Sequence, residues 1–322
     1  MAAIRSLREA LGALVGSPVL FLAGLAYGIV VLPQTALQLM GVPLAPTVLQ
    51  IVTFFVTPFV VAGLIGMADE ALDRDTSLST LTSVGRERYV PLLLGNLVNF
   101  AIAIVFGILF VIVVLVAVFT VGLGAVAGES AGGAAGGAAL GGSLLLVVGL
   151  FALVLLLFLL VSFFIQFYPV AIVAGRTGAV DGFRESVSLV RNNLLPALGY
   201  SIISLVVGLV TAVPTVGFII FRQIQQVQEM GAGGAGAGAG AGGFPGAGAG
   251  AGGFSLFSPA EAALVAAVGL ATTMLLTTFQ QTYATAFYRD HRDGGLGGAP
   301  DATEPTGAAD PTTGDSGFEF GE

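Results

Sequence analysis

The 322-residue sequence contains no cysteine, no lysine and no tryptophan, and it has a single histidine, His291. Without cysteine there are no disulfides and no thiolate metal sites. One histidine removes most nucleophile–base pairs and most metal clusters, so hydrolytic chemistry has few residues to draw on. No G-x-S-x-G, H-E-x-x-H or P-loop occurs, and the G-x-G-x-x-G matches fall inside a Gly/Ala tract with no strand before it or helix after it. We therefore expect no enzymatic activity, no metal and no cofactor. Charge is scarce too: 9% of the residues are charged, against about a quarter in soluble domains. That excludes a soluble globular protein.

What remains is apolar. Hydrophobic residues make up 56% of the chain, and the mean hydropathy is +0.97. Residues 10–68, 89–128 and 130–175 carry no charge at all, whereas a bilayer is crossed by about 20 apolar residues. The expected fold is all-α: a polytopic bundle of six transmembrane helices with amphipathic interfacial helices on the cytoplasmic side. The spans are read at about 18–40, 44–68, 89–121, 143–174, 194–221 and 259–288, inside a membrane domain of residues 1–292. No small-residue cleavage site closes the first apolar run, so a cleaved signal peptide is not expected. Ser17-Pro18 and Ser258-Pro259-Ala260-Glu261 mark helix starts, a capping hydroxyl followed by proline in the first turn. Gly41-Val42-Pro43 reads as the turn between the first two spans. Pro169 and Pro214 are expected kinks.

Two Gly/Ala tracts, 131–142 and 231–253, read as external loops, the second as flexible coil. Residues 293–322 read as a disordered, acidic tail. Residues 289–322 hold two Arg against eight Asp and Glu, so most of the formal charge of −8 belongs to that end. The motif Phe318-Glu319-Phe320 in it is either a docking peptide or part of a solubilising tail. The acidic, lysine-free, Ala/Gly-rich composition is associated with salt-adapted archaeal proteins. Nucleic acid is not an expected partner, since no concentrated basic patch is present.

All eleven basic residues are arginines. Six crossings from a cytoplasmic start put Arg5, Arg8, Arg74, Arg86, Arg88, Arg176, Arg184, Arg191, Arg289 and Arg292 on one side and Arg222 alone on the other. By the positive-inside bias the expected location is the cell membrane, with both termini cytoplasmic. Ile4, Leu7, Leu11, Leu14 and Val15 recur at helical spacing, so residues 3–16 read as an amphipathic helix on the membrane face. Phe183, Val187, Val190 and Leu194 predict a second interfacial helix in the loop before the fifth span. Leu78, Leu81 and Val84 make a weaker one before the third. Arg86, Arg88, Arg184 and Arg191 are the candidate lipid head-group contacts. A shift of 105 residues superposes Ser83, Arg86, Pro91 and Leu93 on Ser188, Arg191, Pro196 and Leu198, as two parallel hairpins would.

The segments Ser6-Leu7-Arg8-Glu9-Ala10 to Ser17-Pro18-Val19-Leu20-Phe21 and Asp181-Gly182-Phe183-Arg184-Glu185-Ser186-Val187-Ser188-Leu189-Val190-Arg191-Asn192-Asn193 resemble a group of uncharacterised haloarchaeal multi-pass membrane proteins. That group is similar to the non-catalytic membrane domain attached to some glycerophosphodiester phosphodiesterases. The resemblance covers roughly residues 1–290 and implies six spans with interfacial helices between them. It brings no catalytic residue, because in those enzymes a separate soluble barrel performs the chemistry.

Within the spans, Asn96, Asn99, Gln166, Gln280 and Gln281 lie roughly 10–17 Å from the arginine level at the helical rise, with Ser201 and Ser204 at or slightly short of that depth. Such a layer either cross-links the bundle by hydrogen bonds or lines a polar pocket for a head group or small solute. No charged residue is placed deep in a span, as ion-coupled carriers require. Asp69, Glu70, Asp73 and Asp75 form a solvated acidic face, or hold a hard cation through Asp69 and Asp73. His291 is expected to be solvated. The expected function is a non-enzymatic scaffold or lipid-interacting module; the alternative is a transporter or channel subunit for a small or lipid-like solute. Expected partners are membrane lipids, other membrane proteins and a cytoplasmic partner of the tail.

Overall fold

The computed structural model describes residues 2–39, 44–131, 134–232 and 259–295. These form helices α1 (Ala2–Gly16), α2 (Val19–Leu39), α3 (Ala45–Ala71), α4 (Leu78–Ala131), α5 (Ala134–Ile165), α6 (Tyr168–Val173), α7 (Ala179–Asn192), α8 (Leu194–Ala232) and α9 (Pro259–Gly295). Among the described residues there is no strand. Six segments, Val19–Leu37, Ala45–Ala71, Leu78–Thr120, Leu144–Val173, Leu194–Val213 and Ala263–Arg292, are long and apolar enough to cross a membrane. The described residues are all-α, with the number of such helices that the hydropathy predicts.

Several boundaries differ from the sequence reading. The amphipathic stretch before the third span is not a separate element: α4 runs unbroken for 54 residues with Pro91 inside it. Residues 134–142 of the first Gly/Ala tract are helical, although four of these nine residues are glycine, which by itself disfavours a helix. The second tract begins as the last turn of α8, and residues 233–258 lie outside the described part. So do the turn at 40–43 and residues 296–322 with Phe318-Glu319-Phe320, whereas residues 293–295 continue α9. The Pro169 kink is a full break, because α5 stops at Ile165 and α6 restarts with proline in its first turn. Helix α8 continues through residue 214.

The long helices follow one another around an arc: α5 packs on α4, α4 on α3, α3 on α2, α2 on α9 and α9 on α8. Small residues permit the closest contacts. A Cβ at Gly63 would collide with the backbone of Leu81, and one at Gly24 with Thr278. Helices α5 and α8 do not pack along their lengths; α7 touches both and closes the arc at one end. That end carries most of the arginines, and the core is gathered there. Phe167, Ile172, Val190, Ala197, Tyr283 and Phe287 are all buried in one cluster. Toward the other end apolar side chains face outward, among them Leu145 at 74% exposure, Val118 at 64% and Val210 at 66%.

Helix α1 belongs to that core. Its amphipathic stripe is split: Ala3, Ser6, Ala10, Ala13 and Leu14 are buried, while Ile4, Leu11 and Val15 remain exposed. Alanine and serine let α1 approach α9 closely, so the packed face is the small one and the bulky apolar face is left outward. Helix α7 is rotated in the same sense. It buries Gly182, Ser186, Leu189 and Val190 and exposes Val187, and Leu194, expected on the same stripe, is exposed at the start of α8.

Candidate functional site

The arginine end is organised by the break between α5 and α6. An interrupted helix leaves backbone groups without partners, which is costly when they are buried. Ser186 of α7, itself fully buried, satisfies two of them: its Oγ donates to the Phe164 carbonyl at 2.8 Å and accepts from the Phe167 N–H at 3.1 Å. Proline at 169 has no N–H to satisfy. The break then sends neighbouring side chains to opposite sides. Tyr168 donates to Asn96 Oδ1 on α4 at 2.7 Å and stacks on Phe183 of α7 with ring centroids 4.6 Å apart. Gln166 accepts from Ser201 of α8 at 3.0 Å.

The expected polar layer is thus two separate pairs. Ser204 lies one turn beyond Tyr200 with its Oγ buried. Asn99, Gln280 and Gln281 make no side-chain hydrogen bond among the described residues, although the Gln281 carbonyl accepts from Thr285 at 2.7 Å. Two residues outside the expected set matter here: Tyr168, which holds Asn96, and Ser186, which bridges the break between α5 and α6. Polarity within a span did not single out the tyrosine, and the serine was hidden in a helix read as a surface one.

Behind the break runs an aromatic column. Phe167 stacks on Phe287 at 5.0 Å, Phe287 on His291 at 4.1 Å, and Tyr200 contacts Tyr283 at 4.6 Å. The Tyr283 hydroxyl donates to the Ala3 carbonyl at 3.1 Å, which fastens α1. His291 is therefore not solvated as expected: it is 8% exposed, and its Nδ1 lies 2.8 Å from the Phe287 carbonyl.

The last turns of α9 fan out to three other helices. Asp290 pairs with Arg5 and accepts from Ser6 of α1. Arg289 donates to the Asp69 carbonyl at 3.0 Å and to both Asp73 oxygens at 2.8 and 2.9 Å. Tyr288 donates to Glu185 of α7, which Arg292 approaches at 3.8 Å. The Asp69 and Asp73 pair, read from sequence as a solvated face or a cation site, grips this guanidinium. Glu70 accepts from Arg74 and Thr76 at 3.0 Å each and from Thr80 at 2.5 Å, and so ties the start of α4 to α3. A cleft of about 1080 Å³ between α1, α3 and α9 is lined by these paired charges, with Arg5, Glu9, Asp73 and Arg289 on its walls. Pairing leaves it little net field for a charged guest.

The four candidate head-group arginines divide. Arg184 pairs with Asp181 at 3.2 Å and Arg88 with Glu87 at 2.9 Å. Arg86 and Arg191 are exposed and form no ion pair among the described residues. Each borders a surface groove with apolar side chains in its wall. Arg86 stands beside Phe55, Phe59 and Tyr89 in a groove of about 380 Å³. Arg191 stands beside Phe183 and Val187 in a more polar one of about 530 Å³, whose wall also carries Arg184, Ser188 and Asn192. These are the two arginines that the 105-residue shift superposes.

The fold defines a class, the all-helical proteins with six helices long and apolar enough to cross a membrane. Residues 1–291 match the model of the family described as Domain of unknown function (DUF7847), and the chain belongs to that family. No curated protein and no solved structure matches it.

Proposed function

We propose that this is an integral protein of the cell membrane, crossing it six times with both termini cytoplasmic, and that it acts without catalysis as a scaffold or lipid-interacting module. The observation that carries the lipid reading is the pair of unpaired guanidiniums, Arg86 and Arg191, each set beside apolar side chains in a surface groove. A phosphate over the guanidinium with acyl carbons in the groove satisfies both halves of such a site. Tyr89 adds an amphipathic ring at the rim, its hydroxyl donating to the Phe55 carbonyl at 3.0 Å. The membrane reading rests on the outward apolar side chains of α4, α5 and α8, which in water would form a very large exposed patch. Helices α1 and α7, with Ile4, Leu11, Val15 and Val187 outward, are the interfacial elements. The likeness to haloarchaeal multi-pass proteins and to phosphodiesterase membrane domains fits a non-catalytic role.

The test is lipid retention. Purified protein carrying Arg86→Gln and Arg191→Gln should co-purify with less anionic lipid than wild type, while Arg74→Gln, which removes an exposed arginine paired with Glu70 and away from both grooves, should retain nearly the wild-type amount. Equal retention by all three proteins would overturn the lipid reading. A transporter or channel subunit is the second reading, favoured by a polar cavity between α2, α3 and α4.

A further inference from the structure

Between α2, α3 and α4 lies a cavity of about 300 Å³ lined by Tyr27, Gln34, Gln50, Thr53, Thr57 and Asn96. Three helices that are otherwise strongly apolar bring two hydroxyl-bearing threonines, a phenol and three amides to one place. No charged side chain lines it.

Among the threonines of the long helices, Thr272, Thr273 and Thr277 make no side-chain hydrogen bond among the described residues, while Thr35, Thr120, Thr211, Thr278, Thr282 and Thr285 turn their hydroxyls back onto the carbonyl one turn earlier. That is the usual way an apolar helix satisfies a hydroxyl. Thr53 and Thr57 make no such bond, and neither they nor the Tyr27 hydroxyl have a partner among the described residues. Thr53 is 9% exposed as a whole, and none of these three oxygens is among the fully enclosed unpaired atoms, so each reaches open space. Unpaired polar groups inside an apolar layer are expensive.

The amides narrow the chemistry of what would satisfy them. Gln34 Nε2 donates to Gln50 Oε1, and Asn96 Oδ1 accepts from Tyr168. Two of the three amide oxygens are thus taken, while the amide nitrogens of Gln50 and Asn96 make no bond among the described residues. The lining is left rich in donors, with hydroxyls that serve either way. A cation wants converging oxygens, and an anion in such surroundings wants a countercharge. The cavity offers only neutral oxygens and no carboxylate for the one, and no cationic side chain for the other. At about 30 Å³ per water it has room for a guest of several heavy atoms.

We infer that this cavity is a binding site for a small uncharged solute bearing several hydroxyl oxygens, the chemistry of a short polyol. Thr53, Thr57 and Tyr27 exchange hydrogen bonds with it, and Gln50 and Asn96 donate to it. The inference rests on the membrane reading above only in taking the surroundings of α2, α3 and α4 to be apolar.

The full chain in lipid nanodiscs, immobilised for scintillation proximity counting, should bind radiolabelled erythritol saturably above empty discs. Unlabelled erythritol should displace it, and potassium or chloride salts should not. Thr53→Val with Thr57→Val keeps the shape, removes two hydroxyls and should weaken binding by about tenfold or more. Tyr27→Phe should weaken it severalfold, and decides the matter if the double variant does not assemble. Counts no higher than empty discs, displacement by the salts, or unchanged binding in Tyr27→Phe would each overturn the site. Failure of the wild-type chain to enter nanodiscs is a different outcome: it strikes the membrane reading and this inference with it.

Discussion

Ser186 Oγ lies 2.8 Å from the carbonyl of Phe164 and 3.1 Å from the amide of Phe167, bridging the break between α5 and α6 from a neighbouring helix. A single hydroxyl thereby completes the backbone bonding of a span that would otherwise expose it to an apolar interior. Replacing Ser186 with alanine should cost about 1–3 kcal/mol, the price of leaving buried backbone groups unpaired. Thermal unfolding in detergent will read this as a lower Tm for Ser186→Ala. The exposed neighbour Ser188, changed to alanine, should leave the Tm unaltered, and equal behaviour of the two variants would show that the bridge carries no stability.

Gly63 and Gly107 make an internal comparison on neighbouring helices. A Cβ at Gly63 would meet the Leu81 carbonyl and Cα, which are backbone and cannot swing aside, whereas at Gly107 nothing lies within 4 Å. Gly107→Ala should therefore be neutral or stabilising by about 0.5–1 kcal/mol through helix propensity. Gly63→Ala should destabilise by about 1–3 kcal/mol through overpacking. The sign of the difference in Tm tests whether α3 and α4 are in contact along this line.

The number and order of the helices were legible because each apolar run is long and closed by Pro, Gly or Arg. Pro259 starts α9 where the Ser-Pro signal puts it. Orientation of the short helices was not legible. Reading α1 by hydrophobic size placed Ile4, Leu11 and Leu14 together, but α9 selects the face that permits close approach, which is Ala3, Ser6 and Ala10. The polar layer failed for a related reason. The turn at 166–167 aims Gln166 at Ser201 on α8 and Tyr168 at Asn96 on α4, a rotation that one-dimensional counting does not contain. Gln34, Gln50 and Thr53 were visible as polar residues in apolar runs, but only packing shows that they converge.

Arg289 joins α9 to the end of α3 through Asp69 and Asp73. It is partly exposed, so its ion pair should contribute about 1 kcal/mol or less and should weaken with salt. Arg289→Gln is accordingly expected to lower the Tm slightly at low ionic strength and hardly at all in molar salt. A large loss that persists in high salt would place the value of this contact in the Asp69 backbone bond and in packing instead of in charge.

The absence of cysteine makes the six-crossing arrangement testable without background. Leu44 at the start of α3 is 80% exposed and lies at the end of the bundle opposite Ser79 and Ser188, which are also exposed. Single substitutions Leu44→Cys, Ser79→Cys and Ser188→Cys can each be challenged in intact cells with a membrane-impermeant maleimide. On the proposed topology Leu44→Cys labels in intact cells, while the two serine variants label only after permeabilisation. An odd number of crossings between Ser79 and Ser188 would make those two differ, and labelling of all three in intact cells would remove the proposed cytoplasmic face. The same substitutions also bear on the grooves, since Ser188 lines the one that contains Arg191. Anionic lipid seated there should slow modification of Ser188→Cys in permeabilised membranes relative to Ser79→Cys, and Arg191→Gln should restore its rate.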